Sequence, residues 1–158
     1  MFEKLKVIKK LTGGHHAEAV YLLAPTKLTD NGENVVRKHY KMNHKKSEKQ
    51  FKRELKIMKH LTNKKCTFTP KLLSYNEKKG ILWMSYCGEN LIDSQENRKK
   101  VFDLNMKLKN EYQLIWKYFP SLQDFLAKKS KHNIIHNVTK KGDQIFLIDF
   151  GNSHWQLL

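Results

Sequence analysis

Midway along the chain the hydrophobic pattern changes its period, and a sequence that does so is expected to fold as α+β rather than from one kind of element. The first half carries short apolar runs between turn formers. Residues 5–7 and 19–23 flank Gly13-Gly14, residues 35–37 follow Asp30-Asn31-Gly32, and residues 70–75 and 81–86 flank a turn at 76–80. Runs of this length and spacing predict strands joined by hairpins. Between the third and fourth runs, Phe51, Leu55, Met58 and Leu61 recur at intervals of three and four, which predicts an amphipathic helix over 47–61 with Ser47 as its cap. The first half thus reads as a five-stranded antiparallel sheet plus one helix.

In the second half Val101, Leu104, Leu108, Tyr112 and Ile115 step by three, four, four and three. This predicts a long helix from about 94 to 118, ended by Pro120. A shorter helix over 122–129 follows, with lysines at its C-terminal end where cations suit the helix dipole. Residues 133–138 and 144–150 then bracket a turn at 139–143 with Gly142 at its tip, predicting a terminal β-hairpin. The break at Gly88-Glu89-Asn90 divides the chain into a first part over 1–87 and a second over 88–158.

Composition narrows the class. A chain of 158 residues with 39 % hydrophobic and 29 % charged residues has enough apolar material for a core and is too short for a large multidomain enzyme. Its longest apolar runs fall far short of the roughly 20 residues of a membrane-spanning helix. Its N-terminus, MFEKLKVIKK, never builds the apolar core of a signal peptide. An intracellular location, cytoplasmic or nuclear, is the expectation. Cys66 and Cys87 match no metal or redox spacing. The net charge of +16 makes a polyanion a natural partner. With only Arg37, Arg53 and Arg98 as arginines, sequence-specific base reading is disfavoured.

Five segments, in this order, carry chemistry. They are Leu11-Thr-Gly13-Gly14-His15-His16-Ala-Glu18-Ala-Val20; Val35-Val-Arg37-Lys38; a helical stretch holding Glu54; Leu82-Trp-Met84-Ser-Tyr86-Cys87-Gly88; and Ile145-Phe-Leu-Ile-Asp149-Phe150-Gly151. Their order and types resemble the protein-kinase-like superfamily in a very short, minimal two-lobed form. The resemblance runs over nearly the whole chain. It implies that Asp149 holds a magnesium ion at the nucleotide phosphates, that Lys38 pairs those phosphates, and that Glu54 holds Lys38 by an ion pair. Glu48 is the rival acid on the same helix. By the same resemblance Gly13 and Gly14 belong to a phosphate loop closed by Val20, and Met84 and Tyr86 lie along the backbone facing an adenine ring. Measured back from Val20, His15 and Glu18 stand where the family has its second and third glycines.

The catalytic loop departs from the family. Placing Asn133 as the second metal ligand leaves Lys128 where the family has its catalytic aspartate. Placing His136 as the loop histidine crowds the hairpin. Asp124 is the remaining carboxylate, nine residues before Asn133 instead of five. No activation loop or helical substrate platform follows Gly151 within the sequence.

The resemblance therefore implies an ATP- and Mg2+-binding kinase-like protein of weak or absent phosphotransferase activity, a pseudokinase at the limit. Two alternatives stay open. One is a basic, non-catalytic scaffold that binds nucleic acid or an acidic protein through Lys38, His39, Tyr40, Lys41, His44, Lys45 and Lys46, with Tyr40 stacking on a base. The other is an active small-molecule or lipid kinase.

Overall fold

A computed structural model describes residues 2–11, 17–25, 33–119, 121–127, 134 and 136–155. The fold is α+β, with a five-stranded antiparallel sheet, three helices among the described residues, and a β-hairpin near the C-terminus. The chain divides into two compact units, one of Met1–Cys66 and Pro70–Tyr86, the other of Thr67–Thr69 and Cys87–Leu158. No helix among the described residues is long and apolar enough to cross a membrane.

The first unit holds strands β1 (Val7–Leu11), β2 (Ala17–Leu23), β3 (Val35–Tyr40), β4 (Leu72–Asn76) and β5 (Ile81–Ser85), with helix α1 (Lys45–Asn63) between β3 and β4. Spatial order is β1-β2-β3-β5-β4. The five expected strands are present, but the first starts at Val7 instead of occupying 5–7. It is an edge strand whose side chains are exposed, so alternation leaves little mark on it, and Lys9 and Lys10 charge an edge that would otherwise invite pairing. Leu5 packs instead, with Phe2, Tyr21 and Leu73, against the buried cluster Leu23, Val35, Ile81 and Trp83 on one face of the sheet.

Helix α1 buries Phe51, Leu55, Met58 and Leu61 as expected, and adds Gln50, Glu54 and Ile57. Its N-cap is His44, not Ser47. Ser47 lies buried inside the first turn.

In the second unit β6 (Glu89–Asn90), β8 (Val138–Lys141) and β9 (Gln144–Leu147) form one sheet in the order β6-β8-β9. Helix α2 (Gln95–Tyr112) is capped by Ser94, whose oxygen accepts the Asn97 N–H at 3.1 Å. It ends well short of 118. Gln113 turns left-handed at φ 57°, and the chain continues as the two-residue strand β7 (Leu114–Ile115), paired with β10 (His154–Trp155). The apolar period outlasts the helix because Leu114 and Trp116 are fully buried for another reason: the Trp116 indole donates to Ile148 O at 2.9 Å.

Helix α3 (Leu122–Leu126) is shorter than expected. The stretch expected as a strand over 133–138 is helical at Ile134, His136 and Asn137, and the strand begins only at Val138. The residues taken for a turn, 139–141, are strand, so the hairpin closes through Gly142 and Asp143 alone. Exposed Lys140 and Lys141 disguise this strand, whose inward residues are Val138 and Thr139 at its start.

Candidate functional site

Lys38 is the fourth residue of β3, and its register partners are Val20 on β2 and Leu82 on β5. Residues directly opposite in an antiparallel sheet share a face, and alternate residues along a strand return to it. Val20, Leu22, Val36, Lys38, Leu82 and Met84 therefore line one face. An ammonium among such neighbours is left only 7 % exposed and needs a partner. Glu54, on the buried side of α1 and 2 % exposed, supplies it: Lys38 Nζ lies 2.9 Å from Oε1 and donates to Oε2 at 3.3 Å. The Tyr40 ring lies 5.1 Å below the same nitrogen and meets Phe51 of α1 edge-on at 5.8 Å.

Glu48, the other acid on this helix, pairs with exposed Lys52 at 3.0 Å. It takes no part in the buried pair. Removing charge from water costs several kcal/mol per ion, so a buried pair of this kind is a poor source of stability. What it does provide is a fixed ammonium.

The first unit thus brings Val20, Lys38, Glu54 and Met84 together. Tyr86 lies just past β5, half-buried, with its N–H donating to Asn34 O at 3.2 Å. Gly13 and Gly14, like His15 and His16, lie outside the described residues. The same geometry breaks up the basic surface expected over 38–46: Lys38 and Tyr40 point inward, and Tyr40, 3 % exposed against Phe51, has no face for a base.

In the second unit Asp149 follows β9 with a half-buried side chain and φ +67°. Asp adopts this left-handed region more readily than most residues, yet it still costs about 1 kcal/mol or more. The backbone on either side is pinned. Ile148 N–H donates to Asn137 O at 2.9 Å, the Trp116 indole caps Ile148 O, and fully buried Phe150 accepts the Ser153 N–H at 3.1 Å. A strained carboxylate held by its surroundings is a mark of functional sites. Nothing in the sequence announced this backbone twist.

Asp124 sits in the first turn of α3, where its N–H and carboxylate both bond the Ser121 hydroxyl, at 3.2 and 3.1 Å. It serves as part of a helix cap. Asn133 and Lys128 lie outside the described residues.

Sequence reasoning missed Arg98 altogether. Only 5 % exposed, it forks onto Asp93 through Nε–Oδ1 at 2.6 Å and Nη2–Oδ2 at 2.8 Å, and its Nη1 donates to the carbonyls of Leu126 and Ala127. The hydrogen bonds that Arg98 donates to Asp93 raise its pKa above the ordinary arginine value despite the opposing cost of burial, and the Asp93 charge adds to the rise. The clasp fixes the end of α3, immediately before the stretch that contains Lys128 and Asn133. The scarcity of arginine in so lysine-rich a chain was the one available hint.

Among the described residues no group of three or more His, Cys, Asp or Glu side chains could hold a metal by itself. A lone carboxylate such as Asp149 fits magnesium nonetheless, because this ion is usually held by one or two carboxylates with phosphate oxygens and water completing the shell. No family model matches the chain, and no curated protein matches it.

Proposed function

We propose that this chain is a minimal protein-kinase-like protein that binds ATP with magnesium and has weak or absent phosphotransferase activity. The observation that carries the reading is the buried Lys38–Glu54 pair, formed between the third strand and the helix that follows it. The β1-β2-β3-β5-β4 order supports it, as does an Asp-Phe-Gly sequence whose aspartate is held in the left-handed region. In this reading Lys38 binds phosphate, Glu54 orients Lys38, and Asp149 with Asn133 ligates the metal. Val20, Met84 and Tyr86 flank the base, and Gly13 with Gly14 approaches the phosphates. Magnesium, when bound, would screen the phosphate charge.

Weak turnover follows from Lys128 standing in the aspartate position and from Asp124 being engaged in a helix cap. Phosphoryl transfer rests mainly on positioning and charge stabilisation, so loss of that aspartate lowers the rate without abolishing nucleotide binding. An intracellular setting, cytoplasmic or nuclear, belongs to the same reading.

Thermal melting with and without ATP and magnesium tests it. At 100 times Kd, binding adds about 2.7 kcal/mol, or about 5–10 °C for a domain of this size. Lys38→Arg and Asp149→Asn should each remove most of that shift. Absence of any shift with saturating nucleotide would sink the proposal.

A further inference from the structure

Helix α1 presents one row of lysines along its exposed side. Lys45, Lys49, Lys52, Lys56 and Lys59 are spaced four, three, four and three apart, which at 3.6 residues per turn confines them to an arc of about 80°. They lie opposite the buried Gln50, Glu54, Ile57 and Leu61. Lys45, Lys49, Lys52 and Lys56 are exposed and Lys59 is half-buried. Lys52 pairs with Glu48 and Lys59 sits 4.0 Å from Glu77, while Lys45, Lys49 and Lys56 have no acidic partner among the described residues. Lys78, from the turn between β4 and β5, lines the same groove of about 560 Å³ as Lys52, Lys56 and Lys59.

We propose that this ridge is a docking surface for the phosphate backbone of duplex nucleic acid, bound without regard to sequence. At 1.5 Å per residue the ridge is about 21 Å long, and that length of duplex axis carries about twelve phosphates over its two strands at 1.7 Å each. A helix holds its row of cations in fixed positions. That row suits a stiff polyanion, whereas a flexible one would lose entropy on being straightened against it. Lysine without arginine on the row supplies point charges and no bidentate reading of bases. A membrane surface fits less well, because an interfacial helix needs apolar side chains beside its lysines and those of α1 are buried. An acidic protein fits less well too, since the row itself carries no arginine and the aromatic ring beside it, exposed Tyr75, already sits against Lys59 Nζ at 4.2 Å. The ridge lies on the side of α1 opposite Glu54, so it stands or falls independently of the Lys38–Glu54 pair.

Fluorescence anisotropy of the full chain with a labelled 20-base-pair duplex tests the assignment. If five lysines each neutralise one phosphate, affinity falls about 500-fold between 50 and 200 mM salt, and a second duplex of scrambled sequence behaves alike. The triple variant Lys45→Gln/Lys49→Gln/Lys56→Gln should bind more weakly at 50 mM and lose only about tenfold over the same range. A control of equal charge loss, Lys10→Gln/Lys99→Gln/Lys140→Gln, should keep close to the parent's salt dependence. All six lysines are exposed, so both triples should melt as the parent does, and the ridge triple should keep any shift with ATP and magnesium. Equal weakening in the two triples would reduce the effect to net charge and overturn the proposal. So would failure to bind duplex at 50 mM salt, or tighter binding to phosphatidylserine vesicles or poly-glutamate than to duplex.

Discussion

Lys38 Nζ reaches both carboxylate oxygens of Glu54, at 2.9 and 3.3 Å, with the lysine side chain 9 % and the glutamate side chain 2 % exposed. Neither partner has water to fall back on. The pair ties the middle of β3 to the middle of α1, so anything that moves the helix along the sheet moves this carboxylate away from its lysine. A site that depends on the position of one ammonium is thereby coupled to the packing of a whole helix.

Breaking the pair from one side should be costly. Lys38→Met takes the ammonium away from a buried carboxylate and should lower stability by about 3–5 kcal/mol. Lys38→Met combined with Glu54→Leu should recover most of that loss, since apolar replacements of similar volume are often neutral. Urea denaturation of the four proteins in the cycle checks it. A double variant as unstable as the single would show that the two side chains do not act as a unit.

Much of the first unit was legible because its elements have two distinct faces. Alternation in β3 places Val36 and Lys38 together, and the three- and four-residue steps of α1 locate the side on which Glu54 lies. The same alternation takes Lys38 and Tyr40 out of the basic surface expected over 38–46, since the two must face inward together. Where burial has another cause, periodicity misleads. Leu114 and Trp116 extend the pattern of α2 past its left-handed end at Gln113, and β1 has no buried face to betray its limits. The Arg98–Asp93 clasp was invisible because two opposite charges five residues apart look like an ordinary solvated surface.

Asp149 separates stability from function. Its φ of +67° penalises any residue with a β-carbon, and alanine most directly. Asp149→Gly should be more stable than Asp149→Ala by about 1–2 kcal/mol. Both should lose the melting shift with ATP and magnesium, because neither keeps the carboxylate. Melting curves for the two variants, with and without nucleotide, read both quantities. A retained shift in Asp149→Gly would remove this aspartate from the site.

Arg98 should tolerate lysine poorly. Lysine keeps the charge but cannot fork onto both Asp93 oxygens while also reaching the carbonyls of Leu126 and Ala127, so Arg98→Lys should cost about 1–3 kcal/mol. The sign of the pH dependence follows from the raised pKa of this arginine. A group that binds its proton more tightly when folded contributes stability that is fully present below its unfolded pKa and lost only as pH climbs through the folded one. For Arg98 that window lies above the ordinary arginine range, beyond any pH at which the protein would be studied. The penalty should therefore stay flat from pH 6 to 9, and chemical denaturation across that range measures it. A penalty that shrinks steadily toward pH 9 would show that something other than the arginine proton governs the clasp.

Two glycines in the second unit both have positive φ, +87° at Gly88 and +61° at Gly142, yet they should respond differently to substitution. A β-carbon at Gly88 would overlap the carbonyl oxygen of Lys140 on β8 and come within 3.0 Å of the Lys141 side chain, whereas at Gly142 it would meet nothing within 4 Å. Gly88 stands where the chain enters β6, whose pairing with β8 continues into the Leu91 N–H to Val138 O bond at 3.0 Å. Alanine there must push the two strands apart as well as bear the left-handed strain, so Gly88→Ala should cost about 3 kcal/mol or more. Gly142→Ala bears the strain alone and should cost about 1–2 kcal/mol, and Gly142→Asn less, because asparagine enters this region more easily. Urea midpoints for the three variants give the order directly. Equal losses at the two glycines would mean that the β6–β8 contact yields freely, and that β6 holds the start of the second unit only loosely.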